Sequence, residues 1–215
     1  VAPQLLALEG FTTVLAQGAA APAGPITLGN FRVGRLPEST TALSVSNLTD
    51  GDGAERLAVV STSTSGNFFA ASQIGSSVIS PGATVDGAIS VRTDAGVVGL
   101  NAGSVTVFFG SNGQNYDASF TTLATNQQTV DLAATGYLVA QPTLPASVAV
   151  GNFRLVDGAS SAFAVTNTNN APGFQELLNA SAGATDAGVT LTGNISSLAP
   201  GDSSQAMVIG FAAGG

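Results

Sequence analysis

Apolar and polar residues alternate in short runs along the whole chain, and clusters of Gly, Asn, Asp and Pro separate these runs. In residues 42–47, Leu43 and Val45 fall on one face and Ser44 and Ser46 on the other. A period of two is typical of a half-buried antiparallel strand. The pattern therefore predicts an all-β protein.

One of these runs predicts a specific hairpin. The apolar segment 104–110 is followed by Asn112-Gly113 and then by a second run at 116–123. Asn-Gly favours the type I′ turn of a two-stranded hairpin, because both central residues of that turn have positive φ. Two further segments, 54–60 and 174–180, are short and fit either a helix or a strand.

Three blocks of sequence occur twice in the same order, so the chain contains an internal repeat. The repeated unit is about 120 residues long, the size of a β-sandwich domain and not of a solenoid repeat. We predict two tandem immunoglobulin-like antiparallel β-sandwich domains, at 26–141 and 148–215. The matching blocks are Gly29–Arg32 with Gly151–Arg154, 42–57 with 162–177, and 79–91 with 198–210.

The two copies differ in length. The first continues past its third block through further strand-like runs, whereas the second has only five residues after its third block. We therefore expect the second domain to lack its last strands. A sandwich without those strands exposes an apolar groove and unpaired edges.

The N-terminal residues offer a candidate to fill that groove. Residues 12–17 (TTVLAQ) echo residues 136–141 (GYLVAQ), which directly precede the second copy. We interpret 1–20 as an N-terminal extension that carries the final strand of a preceding unit, a candidate donor strand. The apolar residues expected to fill pockets in the groove are Leu6, Leu8, Phe11 and Val14.

Composition excludes most catalytic chemistry. The chain has no Lys, His, Cys or Trp, and its five cations are all arginines. Imidazole-dependent triads, Schiff bases and zinc, haem or iron–sulfur sites need the residues that are absent. We therefore predict no enzyme activity and no cofactor.

The net charge of −8 and the length of the apolar runs argue against two classes of partner. Scattered arginines on an acidic chain give no basic surface for phosphate, so we expect no nucleic-acid binding. No apolar run reaches the length of a membrane span, so we expect no membrane insertion.

One acidic loop could hold a metal. Asp50, Asp52 and Glu55 place three carboxylates within six residues, which is a donor set suited to calcium. The spacing is not that of an EF-hand, and the corresponding loop of the second copy, 169–172, has no acid. A solvated turn is the alternative to this weak calcium candidate.

Arg32 and Arg154 occupy the same position of the two copies, directly after a Phe. Either each arginine pairs locally with an acid or a carbonyl, or it bridges domains or subunits. The residues themselves leave both interpretations open.

The order of these motifs resembles a known family. GNFRVG, a strand ending in SN or TNT, the segment GFQELLNAS, the turn SLAPGDSS and the end TGYLVAQPTL are similar to bacterial immunoglobulin-like surface repeats of the choice-of-anchor D type. The resemblance covers residues 26–215. It implies tandem β-sandwiches of long secreted proteins at the bacterial cell surface, and it implies no catalytic role.

These observations together predict a structural subunit of a bacterial extracellular filament or surface layer. Residues 4–16 of one molecule would lie in the open groove of the next, and such a head-to-tail contact generates a filament because it does not close. The partner would be a second copy of the chain. The alternatives are an adhesive or carbohydrate-binding module with a surface glycan as ligand, or a passive stalk of a larger surface protein.

Overall fold

The structure is a computed structural model, and it describes residues 12–35, 39–94, 96–154, 156–183, 186 and 188–213. These residues form strands and turns without any helix. The chain is an all-β protein of antiparallel sheets, consistent with a β-sandwich. Its strands are β1 (Gly18–Ala21), β2 (Ile26–Arg32), β3 (Thr40–Asn47), β4 (Arg56–Ser65), β5 (Phe68–Ser72), β6 (Val78–Ile79), β7 (Thr84–Thr93), β8 (Gly99–Asn112), β9 (Leu123–Tyr137), β10 (Pro142–Thr143), β11 (Ala159–Asn167), β12 (Leu178–Ser181), β13 (Val189–Thr192), β14 (Asn194–Leu198) and β15 (Ser203–Phe211).

The first repeat contains two sheets. One has the strand order β1-β3-β7-β5, and the other has the order β2-β9-β8-β4-β6. Alternate residues of β8 and β9 are buried, as the period of two requires. The buried apolar side chains of these two strands are Val105, Val107, Phe109, Val130, Leu132 and Ala134.

The second repeat reproduces the first sheet but not the whole of the second. Its four-stranded sheet has the order β10-β11-β15-β13, which corresponds strand for strand to β1-β3-β7-β5. Among the described residues, its other sheet consists of β12 and β14. The core of this repeat is small and is formed by Val165, Leu178, Ile195 and Met207.

The chain divides into two compact units whose border does not follow the repeat border. Residues 31–36 and 95–99 and everything from 135 onward belong to the second unit. The rest of the first repeat, including residues 12–30, belongs to the first unit.

The repeated glycine of the GNFR blocks has a conformational reason. Gly29 has a φ of 84° and Gly151 a φ of 81°. Residues with a side chain are strained in this region, so the repeat retains glycine at both positions.

Two local predictions are settled by the structure. The segments 54–60 and 174–180, which fitted helix or strand, contain the starts of β4 and β12. The predicted type I′ turn is wrong, because neither Asn112 nor Gly113 has a positive φ. A longer connection joins β8 to β9, and Asp117 Oδ1 accepts hydrogen bonds there from both the amide and the hydroxyl of Ser119.

The part of the chain that the structure describes contains no candidate membrane-spanning helix. None of these residues belongs to a helix of the length and hydrophobicity that a membrane span needs.

Candidate assembly site in the second repeat

A buried asparagine occupies the same place in each repeat and fixes how the two repeats align. Asn47 Nδ2 donates to the carbonyls of Glu55, at 3.0 Å, and Ile79, at 3.4 Å. Asn167 Nδ2 donates in the same way to the carbonyls of Glu176, at 3.4 Å, and Leu198, at 3.2 Å. Buried polar groups of this kind need partners, and here each amide ties three segments of its repeat together.

The residues that lead into each repeat also make matching main-chain hydrogen bonds. Val14 N–H donates to Gly53 O at 2.8 Å, and Glu55 N–H donates to Val14 O at 3.0 Å. Leu138 makes the equivalent pair of bonds with Phe174 O and Glu176 N–H, each at 2.9 Å. Residues 12–17 and 136–141 therefore both begin a repeat.

This finding corrects the proposed N-terminal extension of residues 1–20. Gly18–Ala21 forms β1 and pairs with β3 of the first repeat, and Val14 is bonded to the same repeat. Val14 is thus not available as a donated residue. The other predicted assembly residues, Leu6, Leu8 and Phe11, lie outside the described residues.

Within the described residues, the smaller sheet of the second repeat has fewer strands than its counterpart in the first. In the first repeat β4 lies between β6 and β8, and β9 lies between β8 and β2. In the second repeat β12 pairs with β14 on one side, and residues 148–154, which correspond to β2, are not part of a strand. None of the described residues of the second repeat forms a counterpart of β8 or β9, and we call β12, β14 and residues 148–154 the open sheet.

Side chains around the open sheet are more exposed than their counterparts. Phe31, on β2, is 6% exposed, whereas Phe153 is 40% exposed and stacks on Phe211 with a centroid distance of 5.5 Å. Leu144, which follows β10, is 59% exposed, whereas its counterpart Ala20 is 3% exposed. Apolar surface of this kind is stabilised when a further strand covers it.

In the first repeat, side-chain amides of β9 protect the edge strand β1. Asn126 accepts from Gly18 N–H at 3.0 Å and donates to Gly18 O at 2.7 Å. Gln128 makes the same two bonds with Ala20, both at 2.8 Å. We call these four bonds the amide clasp; they satisfy the free groups of an edge that could otherwise pair with another chain.

The acidic loop does not form the predicted calcium site. Glu55 is buried, at 4% exposed, and its Oε2 accepts from the Ser111 hydroxyl at 2.7 Å. Ser111 Oγ in turn accepts from Ala16 N–H at 2.6 Å. Asp50 and Asp52 remain exposed, and no cluster of three such ligands occurs within the described ranges. The turn therefore separates the carboxylates that the spacing had placed together.

Glu176, the counterpart of Glu55, has a different partner. Its Oε1 lies 2.5 Å from Arg32 Nε, and both residues belong to the second compact unit. Ser111 belongs to β8, which has no counterpart among the residues of the second repeat that the structure describes. Arg154, the repeat counterpart of Arg32, is exposed.

A separate surface pocket lies in the first unit. It has a volume of about 390 Å³ and is lined by Thr13, Tyr116, Asp117 and Phe120. The hydrogen bond from Ser119 N–H, and after it the bond from the Ser119 hydroxyl, lowers the pKa of the Asp117 carboxyl from its usual value. The pocket thus combines two half-exposed rings with a carboxylate that stays ionised.

Comparison with known proteins does not place the chain in a family. No family model matches the chain. No curated protein matches it either.

Sequence reasoning missed the amide clasp and the buried Glu55. Asn126 and Gln128 alternate within a polar run, and the sequence gives no sign that their amides reach the main chain of another strand. The equivalence of Phe153 and Phe31 is visible in the repeated GNFR block of the sequence.

Proposed function

We propose that the chain is a non-catalytic structural protein of a bacterial surface, and that it assembles by addition of β-strands to the open sheet. The observation that carries this proposal is that, among the described residues, β12 pairs with β14 on one side only and residues 148–154 form no strand. An open edge with apolar surface beside it binds a strand through main-chain hydrogen bonds, and side-chain pockets give that contact its specificity.

The resemblance to choice-of-anchor D surface repeats supports the cell-surface setting. The low fraction of charged residues, 8%, suits a protein that covers much of its surface with copies of itself. A head-to-tail contact between the N-terminal residues of one copy and the open sheet of the next is heterologous and extends into a filament.

Sedimentation velocity and electron microscopy test the proposal. The full chain is compared with a variant that lacks residues 1–11, which leaves β1 and Val14 in place. We expect polymer from the full chain and monomer from the shortened one. Circular dichroism of the shortened chain provides the control that both repeats remain folded. Monomer from both chains, or polymer from both, contradicts the proposal.

A second candidate function is glycan binding in the pocket at Tyr116 and Phe120. Aromatic rings beside a carboxylate suit a sugar, because the rings stack on its apolar face and the acid accepts from its hydroxyls. Tyr116→Ala is the variant that tests it, with Phe69→Ala as a matched exposed control. Glycan-array binding that Tyr116→Ala abolishes and Phe69→Ala retains would support this function, and no binding by the intact chain would exclude it.

A further inference from the structure

The outer surface of strands β4, β8 and β9 in the first unit carries a dense array of hydroxyl groups. Val105 and Val107 of β8 are fully buried, so the residues that alternate with them face outward. The register of β4 on β8 brings the outward serines of one strand beside the outward hydroxyls of the other. We call the following six residues the hydroxyl face: Ser61, Ser63 and Ser65 of β4, Ser104 and Thr106 of β8, and Thr129 of β9.

Hydrogen bonds between the strands hold these hydroxyls in rows. The hydroxyl oxygens of Ser65 and Ser104 lie 2.9 Å apart, and those of Thr106 and Thr129 also lie 2.9 Å apart. Neighbouring strands are about 4.8 Å apart, and outward residues of one strand follow each other at about 6.7 Å. Because each hydroxyl both donates and accepts, the hydroxyl face is a regular lattice of hydrogen-bonding groups, about 10 Å wide and about 13 Å long.

A pocket of about 430 Å³ lies at one end of the hydroxyl face. It is lined by Phe108, which lies opposite Ser61, and by Gln127. Gln127 stands between Asn126 and Gln128, whose amides reach inward to the main chain of β1. Since side chains alternate along a strand, the Gln127 amide points to the outer surface. The pocket therefore adds an aromatic ring and an amide to the array of hydroxyls.

A β-bulge forms one wall of this pocket. The register of β4 shifts between Val59 and Ser61, which leaves Val60 as an extra residue that is 53% exposed and lines the pocket. A Cβ atom on Gly110 would lie only 2.8 Å from Val60 Cγ2. Glycine at this position of β8 therefore lets the bulged valine lie close over the sheet. The pocket is built by a bulge and a glycine, two departures from regular strand structure.

The charge of this surface limits the class of ligand. The residues of the hydroxyl face and of the pocket are uncharged, and Asp131, the next outward residue of β9, is exposed beyond Thr129. This carboxylate and the net charge of −8 disfavour an anionic polymer. Val60 and Phe108 are too few to form the apolar core of a protein interface. A neutral polysaccharide matches the surface, because its ring faces pack on an aromatic side chain and its hydroxyls exchange hydrogen bonds with serine, threonine and glutamine.

We propose that the outer surface of β4, β8 and β9 binds a neutral polysaccharide, with one sugar ring packed on Phe108, its hydroxyls bonded to Gln127 and the rest of the chain along the hydroxyl face. This inference goes beyond strand addition, because the surface belongs to the first unit and not to the open sheet. It is also a different site from the pocket at Tyr116.

Affinity electrophoresis of the full chain tests this proposal in gels that contain mixed-linkage β-glucan, galactomannan, xylan or alginate. We expect slowed migration in at least one of the three neutral polysaccharides and none in the acidic alginate. Phe108→Ala is expected to weaken binding by at least about tenfold, since the ring is lost, whereas Phe108→Tyr keeps the ring and is expected to retain binding. Gln127→Ala is expected to weaken binding by about threefold to tenfold, since it removes hydrogen bonds.

Two matched variants control for changes elsewhere in the same unit. Phe69→Ala removes an exposed ring and Gln73→Ala an exposed glutamine, both outside the proposed site, and both are expected to bind like the intact chain. Circular dichroism checks that each variant is folded. If Phe108→Ala does not fold, Gln127→Ala decides the question, because Gln127 is exposed.

The remaining outcomes overturn the proposal. If no neutral polysaccharide slows the intact chain, the surface is not a polysaccharide site. Equal slowing in alginate contradicts the neutral class of ligand. Binding that Tyr116→Ala abolishes and Phe108→Ala retains places the ligand in the other pocket. Binding that Phe69→Ala and Gln73→Ala weaken as much as Phe108→Ala and Gln127→Ala is not specific to the hydroxyl face.

Discussion

The buried asparagine of each repeat is expected to be among its most sensitive positions. Asn47 is 2% exposed, donates to two carbonyls and accepts from Thr49 N–H at 3.2 Å. Asn47→Ala removes all three bonds and leaves buried main-chain groups without partners. At about 1 kcal/mol for each bond, with a small addition for the cavity, the loss is about 3 kcal/mol. For a unit of this size, that corresponds to a fall in melting temperature of about 10 °C.

Tyrosine fluorescence measures this loss in one unit at a time. The chain has two tyrosines and no tryptophan, and Tyr116 and Tyr137 lie in different compact units. In a Tyr137→Phe background, urea unfolding followed through Tyr116 therefore reports the first unit. Asn30→Ala, at an exposed position of the same unit, is the matched control and is expected to change the free energy of unfolding by less than about 0.5 kcal/mol. A loss below about 1 kcal/mol for Asn47→Ala, or an equal loss for Asn30→Ala, would refute the reasoning.

Two further predictions concern the first unit. Ser111→Ala removes the donor to Glu55 and the acceptor of Ala16 N–H, so we expect a loss of about 2–3 kcal/mol in urea unfolding, with the exposed Ser63→Ala unchanged. Ser119→Ala removes the hydroxyl bond that lowers the pKa of Asp117, so carbon-detected NMR titration should show that pKa move up toward its usual value. Because the folded pKa is the lower one, this carboxylate stabilises the fold above its unfolded pKa and loses that effect as the pH falls through its folded pKa. An unchanged pKa in Ser119→Ala would contradict the assigned cause.

The fold class could be predicted from the sequence because alternation and repetition are local signals. Leu43 and Val45 are buried, as their alternation with serine predicts, and Val165 is buried in the matching strand. The repeat blocks also marked Asn47 and Asn167 as equivalent. Their role as a link between three segments depends on strands far apart in the chain, which a local pattern does not reveal.

The predictions that failed concerned which groups a residue contacts in the folded chain, and the pattern of neighbouring residues does not determine these contacts. The echo between 12–17 and 136–141 agrees with the structure, in which Val14 bonds to Gly53 and Leu138 to Phe174, so each of these two residues leads into the repeat that follows it. Spacing placed Glu55 with Asp50 and Asp52, whereas the chain turns Glu55 inward to Ser111. The Asn112-Gly113 turn failed because the β8–β9 connection extends further along the chain.

Amide hydrogen exchange of residues 148–154 tests the central claim most directly. Residues 148–154 do not form a strand. A strand added beside them in the open sheet would give their amides new hydrogen-bond partners. We predict fast exchange in dilute monomer and exchange slowed by at least about tenfold at concentrations where the chain polymerises. Exchange in this segment that is equally fast in monomer and polymer would contradict strand addition at the open sheet.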